Sequence, residues 1–507
     1  MAKTSTAEEF DVLIVGAGIS GIGAGRYLRT EHPIKTFAIF EARDASGGTW
    51  DLFRYPGIRS DSDLHTFGYA FKPWLERESI ADGSAILSYI RETAAENGLD
   101  AHIRFRHKVV AASWSSEQAR WTVDVEMADA ATGKPTAAQV KATWIFCASG
   151  YYRYDEGYTP VFPARDQFAG RIVHPQHWPE DLDYAGKRVV IIGSGATAMT
   201  MVPVMAGGPG AAGHVTMLQR TPTFVAALPR VDRVGLGLRR LFGDNLGYRL
   251  TRRKNIFLGQ FFWNYARNKP DKVRAGLRKA QVKALPRGYA VDRHFNPPYN
   301  PWDQRLCAVP DGDLFKAISS GSASIATDTI ETFTETGIRL TSGEHLDADV
   351  IVTATGLNLQ FMGGITLAVD GTEIRPVVLV AYRGMMLSGV PNFAFAIGYT
   401  NSSWTLKIGL LCEQFCRVLG YMEDHGYDTA RAIPDPGMGR RPLLDFGAGY
   451  VKRSLADLPS QGDADPWLMS MSYHADRKQM RDGQFPDRFM KFSKATSSAR
   501  SAGRSKA

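Results

Sequence analysis

The sequence predicts an α/β protein made of two βαβ folds, the second interrupted by a helical insertion. Three observations predict this. A buried-strand run, Asp11–Val15, enters a turn that starts at Gly16 and opens a helix to about Leu28; the strand Phe37–Phe40 follows and ends on Glu41. The pattern recurs with the strand Arg188–Ile192, a turn from Gly193 to Met199, a helix to about Met205, and the strand Val215–Leu218 ending on Gln219 and Arg220. Between Arg230 and His294, apolar residues recur at helical spacing among arginines and lysines, with few β-branched residues.

A chain of 507 residues is too long for one ordinary core. Two further strands end in small-residue turns, Trp144–Gly150 and Val350–Gly356. The division predicted is a discontinuous first domain at 1–152 and 364–492 and a second at 153–222 and 306–363. The helical insertion spans 223–305. A small, polar and basic tail at 493–507 is expected to be disordered.

Each turn carries its own chemistry. In Gly16-x-Gly18-x-x-Gly21 the first glycine permits the tight turn, the second lets a pyrophosphate approach the backbone, and the third lets helix and strand pack closely. The helix N-terminus offers N–H groups to phosphate. Glu41, closing the next strand, can accept both hydroxyls of a ribose. The second copy, Gly193-Ser194-Gly195-Ala196-Thr197-Ala198-Met199, has alanine in third place, an accepted variant. Arg220 stands where the first fold has Glu41. A carboxylate repels a 2′-phosphate, whereas a guanidinium binds it as a fork. These are Rossmann-like folds, the first suited to FAD or NAD and the second to NADPH. Two dinucleotides in one chain imply hydride transfer between them. The first motif is followed by no Cys-x-x-Cys, which speaks against a disulfide reductase and leaves oxygen as the expected acceptor.

Composition narrows the class further. Hydrophobic content of 44% and charged content of 22% suit a globular enzyme. The formal charge of +8 is local: Arg230–Arg293 holds 17 Lys/Arg against 4 Asp/Glu, so the remainder is slightly acidic. Nucleic-acid binding is not expected, because no recognition module accompanies this charge. Four cysteines, at 147, 307, 412 and 416, suit a reducing compartment, and Cys412 and Cys416 should share a core face one turn apart. The polar N-terminus is not a signal peptide, and no apolar run is long enough to span a bilayer. A cytoplasmic protein with no metal site is expected.

Between the folds stands Phe168-x-Gly170-x-x-x-His174-x-x-x-Trp178-Pro179. By this fingerprint the chain resembles the class B flavin monooxygenases, and by Trp178, where N- and S-oxygenating relatives carry Tyr or Phe, the Baeyer–Villiger monooxygenases. The stretches Gly47–Trp50, Arg54–Gly57, Arg59–Asp61, Tyr299–Arg305 and Gly398–Trp404 extend the resemblance over about residues 10 to 490. It implies an enzyme that uses FAD and NADPH to insert one atom of O2 into ketones through a C4a-peroxyflavin, giving esters or lactones, with sulfide and thiocarbonyl oxidation alongside. It implies FAD contacts at Gly16, Gly18, Ser20, Gly21, Glu41, Thr49, Trp50, Asp51, Leu52, Asp61 and Val109. It implies NADP contacts at Arg59, Ser60, Asp61, Gly193–Met199, Gln219 and Arg220. Arg305 is the expected fixed cation beside the peroxide, with Asp61 as its counter-charge. Many family members carry lysine where Gln304 stands, which shifts 2′-phosphate binding toward Arg220.

His174 and Trp178 join the catalytic set. For His174 an interdomain hydrogen-bonding role is preferred over that of a catalytic acid. Trp404 and Asn401 are candidates for the substrate pocket, with a core tryptophan as the competing reading. In the insertion, the aromatic run Ile256–Trp263 among arginines suggests a helix either packed on the core or in weak peripheral contact with a membrane through 236–290, also giving apolar substrates an entry. Two other functions stay open: an N- or S-oxygenase without ketone activity, and a non-catalytic flavoprotein that senses NADPH.

Overall fold

The computed structural model describes residues 7–128, 133–304, 306–444 and 447–495. Strand β1 (Glu8–Val15), helix α1 (Ile19–Glu31) and strand β2 (Phe37–Phe40) form the first βαβ unit. β1 lies between β2 and β3 (Pro135–Cys147), parallel to both, with Val12 opposite Phe37 and Trp144. The sheet continues antiparallel beyond β3 through Arg120–Ala128 and His107–Ser115.

Side chains alternate across this sheet with period two. Val12 and Ile14 join one core, packed on α1, while Leu13 and Val15 join the core on the other face. Both faces are covered, so the strand is apolar throughout, as a parallel strand between layers must be.

Crossover strand β4 (Tyr152–Gly157) leads to the second fold. There β5 (Arg188–Ile192), α2 (Ala196–Met205) and β6 (His214–Gln219) repeat the unit. The sheet is parallel and five-stranded, in the order Ala323–Thr327, β6, β5, Val350–Thr353, Arg171–Val173. Val189 and Ile191 face one core, Val190 and Ile192 the other. The predicted fold class holds: two Rossmann-like folds in one chain.

The insertion carries helices α3 (Arg233–Asn268) and α4 (Pro270–Ala284). Asp232 caps α3, accepting from the Gly235 amide at 2.8 Å and pairing with Lys254 at 2.7 Å. Gly243, at φ +73, kinks the helix. The helical insertion predicted at 223–305 opens with a strand, Val225–Leu228, paired in parallel with Cys307–Pro310. Its partner lies some 80 residues away, beyond the reach of local periodicity. Helix α5 (Asp313–Ser319) follows in the second fold.

Helix α6 (Trp404–His425) returns to the first fold and packs on α1. Cys412 and Cys416 share its core face, and all four cysteines are buried thiols. Ser493 corrects the predicted tail boundary: it closes the strand Met490–Ser493, paired with Thr429–Ala432. The rest of the predicted tail, from residue 496, lies outside the described residues. Among the described residues no helix is long and apolar enough to cross a membrane, and no cluster of metal-ligand type occurs.

The closest approach in the first fold is at Gly21, where an added Cβ would stand 1.9 Å from the Gly16 carbonyl oxygen. Gly21→Ala is expected to cost about 2 kcal/mol or more of stability through overpacking. Urea unfolding checks this, and an unchanged midpoint would show that α1 can shift away from β1.

Candidate functional site

One cavity of about 690 Å³ is walled by the first glycine turn and by the start of the helix that follows the second. From the first fold come Gly16, Gly18 and Ser20; from the second, Ala196, Thr197 and Thr200. The carboxyl ends of two sheets thus face a single chamber.

The first turn is shaped by close approach. Gly16 has φ +100, and a Cβ there would stand 2.7 Å from the Ala148 carbonyl oxygen. Glu41 is buried in the cavity wall; its Oε2 accepts from the Ala17 amide at 2.8 Å and its Oε1 from the Arg43 amide at 2.9 Å. These bonds fix the carboxylate while leaving lone pairs for a ligand's hydroxyls. Thr49 Oγ1 and Tyr154 Oη lie 3.2 Å apart, and burial pushes the Tyr154 phenol up to about 12, opposed by this bond. Trp50 packs edge-on to Phe67, and Val109 completes this wall.

Trp404 closes the wall from the N-terminus of α6. Its Nε1 donates to Ser20 Oγ at 2.9 Å, and its ring stacks on Tyr151 with centroids 5.2 Å apart. Trp404 thus lines the cavity and also packs, partly buried, against the cores of the first fold.

Not every predicted contact reaches the cavity. The Asp51 carboxylate is spent on Arg43 and Arg91, each at 2.7 Å, so it braces the turn; neither Asp51 nor Leu52 lines the chamber. Gly21 lies behind Gly16. Ser60 Oγ accepts from the Ala81 amide at 3.2 Å and is a backbone brace. Asn401 donates to the Met471 carbonyl at 2.9 Å, outside the lining. Asp61 and Arg59 do line it. Arg59 is buried and pairs with Asp313 of α5 at 2.6 Å, joining the two folds beside the cavity, while its Nη2 has no hydrogen-bond partner among the described residues. Arg305, the proposed fixed cation, lies outside the described residues.

In the second turn Gly193 has φ +135, and a Cβ there would stand 2.3 Å from the Ala354 carbonyl oxygen. Ser194 Oγ donates to the Thr221 carbonyl at 3.0 Å. Gly195, the N-cap of α2, meets nothing within 4 Å, so open space stands where the motif needs a pyrophosphate. Ala198 and Met199 are buried in the core beneath. Arg220 is exposed and has no ion-pair or hydrogen-bond partner among the described residues, which leaves its fork available to a phosphate. Gln219 is a strut: buried, it donates to the His294 carbonyl and to Thr327 Oγ1, both at 2.9 Å.

The fingerprint between the folds has a packing explanation. Phe168 is buried in the second fold, and a Cβ on Gly170 would stand 2.4 Å from the Asp349 carbonyl oxygen. Trp178 packs against the second core and does not line the cavity. The His174 ring fills the space where a Cβ of Gly157 would be, 2.0 Å from Cε1. Its Nδ1 accepts from the Gln176 amide at 3.2 Å. Burial lowers its pKa, against the opposing pull of the Gly356 and Tyr158 backbone, so the ring is neutral at pH 7.

Sequence reasoning missed Gln176, Tyr55 and Gly157. Tyr55 lines the cavity and packs on the second core; burial pushes its phenol up to about 12, with nearby Thr197 opposing. Its place in Arg54-Tyr55-Pro56-Gly57 was visible, but its contact with the second fold was not.

Two Rossmann-like folds facing one chamber define the class: a protein that brings two dinucleotides together. Comparison with known proteins agrees. The NAD(P)-binding Rossmann-like domain matches residues 14–77, and the flavin-binding monooxygenase-like family matches residues 76–252. The FAD-containing monooxygenase EthA of Mycobacterium tuberculosis is 49% identical over 489 residues, 96% of this chain and 98% of that protein. A probable FAD-binding monooxygenase, AlmA of Acinetobacter baylyi, is 47% identical and covers 96% of this chain and 97% of its own. An oxidized steroid monooxygenase bound to NADP superposes with a TM-score of 0.74 at 21% identity, over 96% of this chain and 100% of that one. An open cyclohexanone monooxygenase superposes with 0.73 at 18%, with the same coverage; at such identity the likeness is one of fold. The chain belongs to the FAD-containing monooxygenase family.

Gly195 separates stability from binding. Gly195→Ala should cost about 1 kcal/mol of stability or less, the N-cap preference alone. It should raise the NADPH KM roughly tenfold, equivalent to ~1.4 kcal/mol of lost backbone approach. Steady-state kinetics beside urea unfolding checks both, and an unchanged KM would remove this turn from the NADPH site.

Proposed function

We propose that this chain is an FAD- and NADPH-dependent monooxygenase that inserts one oxygen atom of O2 into ketones to give esters or lactones, and that it also oxidises sulfides and thiocarbonyls. The observation that carries this reading is the single cavity walled by the first glycine turn and by the start of the helix after the second, in two folds whose second strands are followed by residues of opposite charge. FAD held by the first fold would supply the redox chemistry that joins NADPH oxidation to oxygen activation.

The chain's own residues then have separable tasks. Gly16, Gly18, Ser20, Glu41, Thr49 and Trp50 would hold FAD, with Val109 on the wall. Gly195, Ala196 and Thr197 would hold the pyrophosphate of NADPH, and Arg220 its 2′-phosphate. Arg59, tied to Asp313, has an Nη2 amino group with no partner among the described residues, which would serve a ligand where the two folds meet. Tyr151 and Trp404 exclude water from one side, which strengthens every charge interaction inside. By its place in the sequence, Arg305 would be the fixed cation that stabilises negative charge developing on oxygen, with Asp61 opposite it. Neutral His174 holds the crossover together and needs no proton to do so.

A mass-labelled O2 experiment with NADPH and a panel of ketones, sulfides and thioamides tests this. Label in an ester is expected; label confined to sulfoxides or N-oxides would make the chain an N- or S-oxygenase instead. Arg305→Ala should keep NADPH-driven flavin bleaching while losing at least about 99% of ester formation, the scale of losing ~3 kcal/mol of charge stabilisation. Ester formation at the wild-type rate would take Arg305 out of the reaction.

We also propose weak peripheral contact with an anionic membrane through residues 236–290. On α3 the stripe Leu246, Arg249, Arg253, Phe257, Phe261 and Tyr265 is exposed along its length. Phe257 and Phe261 are 61% and 58% exposed, and the rings of Phe257, Phe261 and Tyr265 stack in sequence. Ile256 alone of the aromatic run turns into the core. Aromatic rings beside arginines suit a headgroup layer. Co-sedimentation with anionic vesicles at low salt, abolished by Phe257→Ser with Phe261→Ser, is expected; no sedimentation of the wild type would end the proposal.

A further inference from the structure

Gln176 lines the shared cavity and is 1% exposed. Its Nε2 donates to the carbonyl oxygens of Arg153 and Tyr154 on β4, both at 2.9 Å. Those two bonds fix the amide's orientation, because a flipped amide would set Oε1 against two carbonyl oxygens. Oε1 is left as an acceptor, buried and without a hydrogen-bond partner among the described residues. Buried acceptors are rarely left so, and in a binding chamber the missing donor belongs to a ligand.

We propose that Gln176 is a flavin-binding residue, its Oε1 accepting a hydrogen bond from a hydroxyl or N–H group of FAD. Its placement favours FAD over NADPH. The strand it grips is the one whose Tyr154 hydroxyl meets Thr49. A Cβ on neighbouring Gly48 would stand 3.1 Å from Gly18 Cα and 3.4 Å from that same hydroxyl. Gln176, Tyr154, Gly48 and Gly18 thus form one continuous wall ending in the first glycine turn. A single side chain of the segment between the folds would sense whether flavin is seated. This inference rests on the reading of the first fold as the FAD site.

Gln176→Met keeps the volume and removes both donor and acceptor. FAD release from the full-length holoenzyme on dilution, followed by flavin fluorescence, should show a dissociation constant about tenfold higher, the cost of one buried hydrogen bond. NADP⁺ binding to the holoenzyme, read from its perturbation of the flavin spectrum, should be unchanged. Equal loss of melting temperature with FAD saturating and absent, at unchanged FAD affinity, would make Gln176 a structural strut and overturn the proposal. Weakened NADP⁺ binding alone would overturn it too, by moving the acceptor to the other dinucleotide. Should Gln176→Met not fold, the wild type reconstituted with FAD analogues lacking single hydroxyls or the flavin N3–H decides. Roughly tenfold weaker binding of one analogue supports the proposal, and uniform binding overturns it. A wild-type chain that takes up no FAD would instead fail the reading of the first fold, a result distinct from all of these.

Discussion

Strand Tyr152–Gly157 and the segment that crosses it hold two separate sheets so that their glycine turns face one chamber. At one end the imidazole of His174 occupies the space that glycine leaves at Gly157. At the other, the Gln176 amide grips the strand's carbonyls, and Tyr154 reaches across to Thr49. Phe168 and Trp178, on either side, are anchored in the two cores of the second sheet. None of these contacts of the crossover depends on a formal charge. Every functional statement about the cavity presupposes this junction, since the folds taken singly would make only two unrelated nucleotide sites.

The walls divide labour between rigid and available groups. Glu41, Arg59 and Gln176 are each oriented by protein partners yet keep capacity for further bonds. Such groups are expensive in an apolar interior and useful in a binding chamber. A deeper support stands behind the same wall: Tyr399 lines the cavity and donates to Asp476, which also pairs with Lys407 at 2.7 Å. Burial pushes the lysine's pKa down while Asp476 opposes it. The pair ties α6 to the C-terminal segment and so braces Trp404 at the head of that helix.

Much of this was legible residue by residue. The alternation of Val12, Leu13, Ile14 and Val15 between two cores is the physical content of an apolar run before a glycine turn. Gly16, Gly21, Gly170 and Gly193 each sit where a Cβ would strike a neighbouring carbonyl, so the motif spacing records real steric limits. Other assignments could not be drawn so finely. Asp51 and Ser60 stand within cavity-bearing stretches, yet their side chains serve arginines and a backbone amide. Adjacent residues in a turn face different directions, and a one-dimensional motif does not say which. The strand Val225–Leu228 was invisible because its partner is distant in sequence.

The sequence by itself determined the two folds, their order, and the opposite charges of Glu41 and Arg220, because these depend on local periodicity and on side-chain chemistry at fixed spacing. Only the tertiary structure decided that both folds face the same cavity. It alone joined Arg59 to Asp313 over more than 250 residues, left Gln176 with an unspent acceptor, and exposed the aromatic face of α3. Those facts are distances between chain segments far apart in sequence, set by how two sheets and a crossover strand pack, and no local pattern encodes them.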